Sequence, residues 1–344
     1  MSTRAPASRR NPQPTMDDVA AEAGVSRSLV SLVMRDSPRA SARARATVHD
    51  AATRLGYRRN LAASNLAARR TMTIGLLLDD LHNPWFAEVA DGIHTIADRH
   101  GYQVILADGR RSAGVESRSL DTFLASRVDG IIVAGCRVPR GRLDDVAREV
   151  PLVSAGRALG GSAVGSVTAD DAEGARLAVE HLTALGHRRI AHIDGGRGAG
   201  AAARRSGYVA AMRAAGLTTK VQVIGGDFTE DAGRQGGHRL VRGRQLPTAV
   251  FTANDLSALG VIDALDDAGL AVPGAVSVVG YDNTAFAALH HINLTTIDQP
   301  RNRMGQVAAT MLLDALQGVG TLSHVLMQPQ LVIRSTTGWC NAAA

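Results

Sequence analysis

Apolar positions in the first sixty residues recur at three- and four-residue intervals, which predicts short amphipathic helices. The first runs Met16 to Ala23, with Thr15 as its cap and Asp17 and Asp18 in the first turn, where the helix dipole favours acids. Gly24-Val25 makes a tight turn. Ser26 then caps a second helix, Arg27 to about Met34, with Val30, Val33 and Met34 facing inward. A third helix is expected from about Ala42 to Leu55. Its stripe is Val48, Ala51, Ala52 and Leu55, and Gly56 stops it.

From Thr73 the rhythm changes to short β-branched runs separated by amphipathic stretches. The strands predicted are Ile74–Asp79, Gln103–Ala107, Gly130–Val133, Leu152–Ala155, Arg189–Asp194, Val221–Gly225, Ala249–Thr252 and Val276–Gly280. This alternation marks βαβ units and parallel sheets. More than 250 residues of it favour two sheets over one.

Charge is distributed unevenly. Residues 1–70 carry 13 Lys and Arg against 5 Asp and Glu, whereas the remainder carries 25 against 27. The basic excess therefore belongs to the helical segment and points to a polyanion partner for that segment. Residues 1–14, rich in Ser, Pro and Arg, read as a disordered basic arm. No apolar run is long enough to span a membrane, and no hydrophobic signal region follows the basic start, so a cytoplasmic protein is expected. Cys136 and Cys340 have no metal-ligand spacing and fit a reducing compartment, with Cys136 as a buried thiol. Neither a metal nor a cofactor is expected.

Two helices around a glycine-containing turn, the second opening on small polar and basic residues, have the geometry of a helix-turn-helix. The second helix would enter the major groove with Arg27, Ser28, Ser31 and Leu32 outward; Ser26 and Ser31 suit phosphate contacts. At this point a resemblance emerges. TMDDVAAEAGVSRSLVSLVM, followed by ATRLGYRRNLAASNLA, resembles the head of the lactose-repressor/galactose-repressor family of bacterial regulators. Asn83-Pro84-Trp85-Phe86, ANDLSALG at 253–260, VSVVGYDNT at 276–284 and LTTIDQP at 294–300 extend the resemblance over roughly residues 15–338.

The resemblance implies a hinge segment, here Asn60 to Ala67, that becomes helical on operator DNA and inserts Leu66 into the minor groove as a wedge. The candidate DNA-contacting set is then Thr15, Met16, Ser26, Arg27, Ser28, Ser31, Leu32, Arg35, Ser41, Tyr57, Asn60, Ala63 and Leu66. Four positions depart from the family pattern: Leu29 for a frequent Thr, Leu32 for a base-reading Arg, Arg59 for Pro, and Ala44 for a hydroxyl.

The implied fold is a small all-α helix-turn-helix head plus an α/β two-lobed, periplasmic-binding-protein-like sensor domain. The expected limits are 15–58 for the head, 59–70 for the hinge, 71–338 for the sensor and 339–344 for a tail. Within the sensor, about 71–168 with 295–322 would form the N-lobe, and about 169–294 with 323–338 the C-lobe. Ligands of open α/β sheets sit beyond the carboxyl ends of strands. The candidates there are Asn83, Trp85, Phe86, Asp108, Arg157, Phe228, Asn254 and Asp282. Aromatic faces with amides and carboxylates favour a sugar or related polyol. Two departures bear on this set: Ala202 stands where the family commonly has an effector-contacting Arg, and Gly156 where it has an acid. Arg204 matches a different, structural family arginine.

Two other classes compete. Asp194-Gly195-Gly196-Arg197-Gly198-Ala199-Gly200 after a strand superficially suggests a dinucleotide loop, but its glycines are misplaced and no acid follows at the ribose position, so no enzyme is expected. A secreted solute-binding protein is disfavoured by the basic head. A homodimer reading a pseudo-palindromic operator is expected, and without a terminal leucine heptad a tetramer is not.

Overall fold

The computed structural model describes residues 14–34, 37–57, 70–159 and 163–340. The chain divides into two compact units, residues 1–71 and 72–344.

The first unit contains α1 (Met16–Ala23), α2 (Arg27–Met34) and α3 (Ala42–Leu55), with the limits the apolar spacing predicts. Thr15 and Asp18 form a reciprocal capping box, so two backbone donors at the start of α1 are satisfied locally. Gly24 and Gly56 end α1 and α3 in the left-handed conformation, each at φ +63°, which glycine adopts without strain. Val19, Val30, Val33, Val48 and Ala51 form a small core that excludes solvent.

The second unit is built on two six-stranded sheets. The strands of the first are β1 (Thr73–Leu78), β2 (Gln103–Asp108), β3 (Gly130–Ala134), β4 (Leu152–Ala155), β5 (Gly165–Ala169) and β11 (His324–Met327). Their spatial order is β11-β5-β4-β3-β1-β2, all parallel. The second sheet contains β6 (Ile190–Ile193), β7 (Gln222–Ile224), β8 (Ala249–Thr252), β9 (Ser277–Asp282), β10 (Thr295–Asp298) and β12 (Gln330–Val332). Its order is β12-β10-β9-β8-β6-β7, with β12 alone antiparallel.

Helices cover both faces of each sheet, which is why β1, β3 and β8 read as nearly unbroken apolar runs. Around the first sheet lie α4 (Pro84–Arg99), α5 (Ala113–Ala125) and α6 (Arg140–Ala147). The second carries α7 (Asp171–Ala184), α8 (Ala201–Ala214), α9 (Glu230–Val241) and α10 (Asp255–Asp267). Each lobe has two apolar clusters, one per sheet face.

The lobe limits differ from those expected. Thr295–Asp298, assigned above to the N-lobe, pairs with β9 and β12 in the second sheet. The chain then crosses back, and α11 (Arg301–Gln317) packs on α4 in the first lobe. His324–Met327, assigned above to the C-lobe, joins β5 at the edge of the first sheet. Four strands, β5, β10, β11 and β12, were not predicted. They are only three to five residues long, so they carry little period-two signal. Among the described residues no helix is long and apolar enough to cross a membrane.

Candidate nucleic-acid interface and ligand cleft

Arg27 and Ser28 are exposed at the start of α2. The Arg27 guanidinium lies 3.4 Å from Asp17, with both side chains about two-thirds exposed, so this pair is weak and open to exchange. Ser26 Oγ accepts from Leu29 N at 3.2 Å and Ser41 Oγ from Ala44 N at 3.2 Å, while the Thr15 hydroxyl donates to Asp18. These three hydroxyls therefore first serve as helix caps. Ser31 and Leu32 are half-buried, and Leu32 stands outside the apolar cluster that includes its neighbours Leu29, Val30 and Val33. Met16 and Tyr57 pack on the edge of that cluster. Arg35, Asn60, Ala63 and Leu66 lie outside the described residues.

In the second unit a cleft of about 580 Å³ of empty space, counting its mouth, opens at the carboxyl ends of both sets of strands. From the first lobe it is lined by Asp79, Asp80, Asn83, Trp85, Phe86, Arg111, Arg137 and Gly156. The second lobe contributes Asp171, Ala199, Arg204, Asp227, Phe228 and Asp282, and Gln299 lies just after β10, where the chain crosses between the lobes. Five of the eight expected effector residues thus meet here: Asn83, Trp85, Phe86, Phe228 and Asp282.

The other three do not line the cleft. Asp108 turns back to accept from Arg110 N at 3.0 Å. Arg157 donates to the carbonyls of Cys136 and Val138 at 3.1 and 2.6 Å, tying down the loop after β3. Asn254 is fully buried and caps α10, with Oδ1 accepting from Ser257 N and Nδ2 donating to the Phe228 carbonyl at 3.0 Å. Its place behind Phe228 makes it a support for the cleft wall. Cys136 is buried as expected, and burial pushes its thiol up to about 12.

The polar lining is held by ion pairs. Arg137 binds Asp79 through Nε and Nη2 at 2.8 and 3.1 Å. Arg204, almost completely buried, donates to Asp171 at 2.9 Å, approaches Asp282 at 3.7 Å and lies flat over Tyr281 at 3.7 Å. Arg111 reaches across from the first lobe to Asp227 of the second, donating to its carboxylate at 2.7 Å and its carbonyl at 2.9 Å. Asp282 accepts from Gln299 at 2.5 Å, and burial raises its carboxyl to about 7. Behind the cleft Glu116 accepts from the backbone of Arg137 and Val138 at 2.7 and 2.9 Å; burial, with Asp79 nearby, raises it to about 7.

Three lining residues, Arg111, Phe228 and Asp282, have φ of +56°, +69° and +110°. Such strain in non-glycine residues concentrates at ligand sites, where surrounding contacts over-determine the backbone. Asp255 helps supply that constraint: fully buried, it accepts from Thr284 N at 2.6 Å, Thr284 Oγ1 at 2.9 Å and Thr296 Oγ1 at 2.6 Å. Trp85 and Phe86 meet edge to face at 4.9 Å, and the Trp85 indole N–H is buried without a partner.

Two sequence departures gain an explanation. A Cβ at Gly156 would fall 2.7 Å from the Trp85 ring, so the indole fills the space beside the missing acid. A Cβ at Gly195 or Gly198 would run into the Phe228 ring. The glycine loop that suggested a dinucleotide site is thus a seat for one wall of the cleft. Asp79, Asp80, Arg111, Arg137, Asp171, Asp227 and Gln299 were missed as lining residues. Most stand within a few residues of a strand end, but their ion-pair partners are far away in sequence. Arg204, read as structural, both braces the site and lines it.

A helix-turn-helix head followed by a two-sheet domain with a polar, aromatic-walled cleft at its strand ends is the build of a ligand-receiving DNA-binding regulator. The pattern described as "Bacterial regulatory proteins, lacI family" matches residues 15–60, and that of a periplasmic binding protein-like domain matches 179–337. The chain is 33% identical over 322 residues to catabolite control protein A of Priestia megaterium, covering 92% of this chain and 97% of that one. It is 34% identical over 328 residues to the HTH-type transcriptional repressor PurR of Pectobacterium atrosepticum, covering 93% and 96%. Among solved structures, the lac repressor dimer bound to operator and the anti-inducer ONPF superposes with a TM-score of 0.84 at 30% identity, covering 95% of this chain and all of that one. The regulator CelR in complex with cellobiose gives 0.70 at 34%, covering 94% and 99%. The chain belongs to the lacI family of bacterial regulatory proteins.

Proposed function

We propose that this protein is a ligand-controlled transcriptional repressor. As a homodimer it binds a pseudo-palindromic operator in the cytoplasm through its helical heads, and a small hydroxylated molecule, a sugar or related polyol, changes its operator affinity. The observation that carries the reading is the cleft: Trp85, Phe86 and Phe228 supply flat apolar walls, with Asp282 and Gln299 between them as hydroxyl partners. The role is binding rather than turnover. Cellobiose in the CelR structure supports a carbohydrate. Exposed apolar side chains support the dimer: Ile105 and Leu106 on edge strand β2, and Phe286 and Leu289 after β9.

The DNA-contacting set named from the sequence is retained, with Arg27 as the base reader. Its guanidinium can donate twice to a guanine, worth about 1–3 kcal/mol of discrimination, and Leu32 can only touch a thymine methyl. The test is operator selection from randomised DNA, repeated with ligands that raise the melting temperature. Expected are a two-fold symmetric site, a ligand-dependent change in affinity, and loss of one base preference in Arg27→Ala. Asp282→Ala should weaken the ligand by about 1–3 kcal/mol while leaving ligand-free operator binding intact. A chain that selects no operator overturns the proposal.

A further inference from the structure

The polar groups of the cleft form a charge balance that limits which hydroxylated ligands it can hold. Each of the three lining guanidiniums already has a carboxylate partner: Arg137 is bound at both nitrogens by Asp79, Arg204 by Asp171, and Arg111 by Asp227. Two further carboxylates, Asp80 and Asp282, also line the cleft. Asp282, 3% exposed, must share Arg204 with Asp171, so two acids meet one buried cation there. The lining thus carries more negative than positive charge, in surroundings where solvent screens little.

Some of the backbone donors, the usual alternative for anions, are also taken. The Asn83 side chain occupies the N-terminus of α4 through Trp85 N at 3.0 Å. Asp170 occupies that of α7 through Glu173 N at 3.0 Å. The start of α8 has no side-chain cap, but the Asp171 carboxylate lies against Gly200 there. Aromatic faces turned to the cleft attract cations and repel anions.

We propose that the cleft selects its effector by charge: it accepts hydroxylated ligands that are neutral or carry an ammonium group, and it excludes their phosphate esters. This rests on the hydroxylated-ligand reading above and adds a property that reading does not contain. A phosphate would have to displace a carboxylate from an arginine or sit beside Asp80, whose hydrogen-bond donors are the backbone and ring of the exposed His82, and either costs affinity. An ammonium would meet the Asp80 carboxylate.

The experiment uses the full chain. Glucose, glucosamine and glucose 6-phosphate, and ribose with ribose 5-phosphate, are compared by thermal shift, followed by calorimetry on those that bind. Expected is binding of a parent sugar or its amino derivative, with the phosphate ester at least about tenfold weaker than its parent. In Asp227→Asn, a half-exposed position that leaves the Arg111 guanidinium uncompensated, the ester should gain several-fold on its parent. A phosphate ester that binds as tightly as its parent in the native chain overturns the proposal, as does an unaltered ester-to-parent ratio in Asp227→Asn. A panel in which no compound shifts the melt overturns the hydroxylated class itself. Operator binding by the same preparation reports separately on the regulator reading.

Discussion

The head and the cleft domain place their chemistry by opposite means. In the head, the polar candidates Thr15, Ser26 and Ser41 are exposed and held by neighbours three positions away, in the Thr15–Asp18 box and the Ser26 and Ser41 caps. In the cleft, the lining groups are held by partners from distant segments, such as Arg137 with Asp79 and Arg111 with Asp227. A groove-reading surface must leave its donors available to another molecule. A cleft that closes on a small ligand instead needs its charges neutralised and oriented beforehand, because unpaired buried charges are costly. The two regions should accordingly respond differently to single substitutions.

The largest effect is expected at Arg204. Its removal leaves Asp171 and Asp282 buried without their cation and exposes the face of Tyr281, so Arg204→Ala should cost the second unit about 3–5 kcal/mol. Denaturant unfolding followed by Trp fluorescence would measure this, and a loss below about 1 kcal/mol would break the contrast with the head. In the head the most sensitive position is core rather than surface. Val48 is fully buried, and Val48→Ala removes two methyl groups for about 2 kcal/mol, read as an early melt of the helical signal.

Thr15→Ala should cost about 1 kcal/mol, the usual loss for an N-cap, because the box it forms with Asp18 is local and exposed. Amide exchange at the start of α1 would detect it. The last test of the contrast is a pH slope rather than a loss at fixed pH. The carboxyl of Glu116 is held near 7 when folded, against an ordinary value of 4.5, so between those values the folded chain keeps a proton that the unfolded chain releases. Its contribution to stability is therefore full below about 4.5 and is lost as pH rises towards 7. Glu116→Gln cannot ionise, so its stability relative to the native chain should rise over that window and level off above it. Parallel curves for the two proteins would show that Glu116 does not titrate there.

Much of this molecule could be read from its residues in order, wherever a contact is local. The limits of α1, α2 and α3 follow from apolar spacing and from Thr15, Gly24, Ser41 and Gly56, all within one turn of the ends they determine. Central strands such as β4 and β8 were found at their observed limits because a strand covered on both faces is an apolar run. The segments after β1 and β7 and the end of β9 pointed to Trp85, Phe86, Phe228 and Asp282 for a related reason: position relative to a strand end is a one-dimensional fact.

What the order of residues could not decide is which distant groups meet. Thr295–Asp298 and His324–Met327 lie close together in the chain yet join different sheets, because strand pairing depends on the edges the rest of the fold leaves open. Asn254 looked like a ligand contact until the Phe228 carbonyl and Ser257 N–H occupied its amide. Arg111 showed no sign of its role until the second lobe brought Asp227 within 2.7 Å of it. Ion pairs across a cleft have no sequence periodicity, since Coulomb attraction depends on separation in space alone. The families of element and the candidate faces were therefore present in the sequence. The charge balance of the cleft arose only when two sheets were folded against each other.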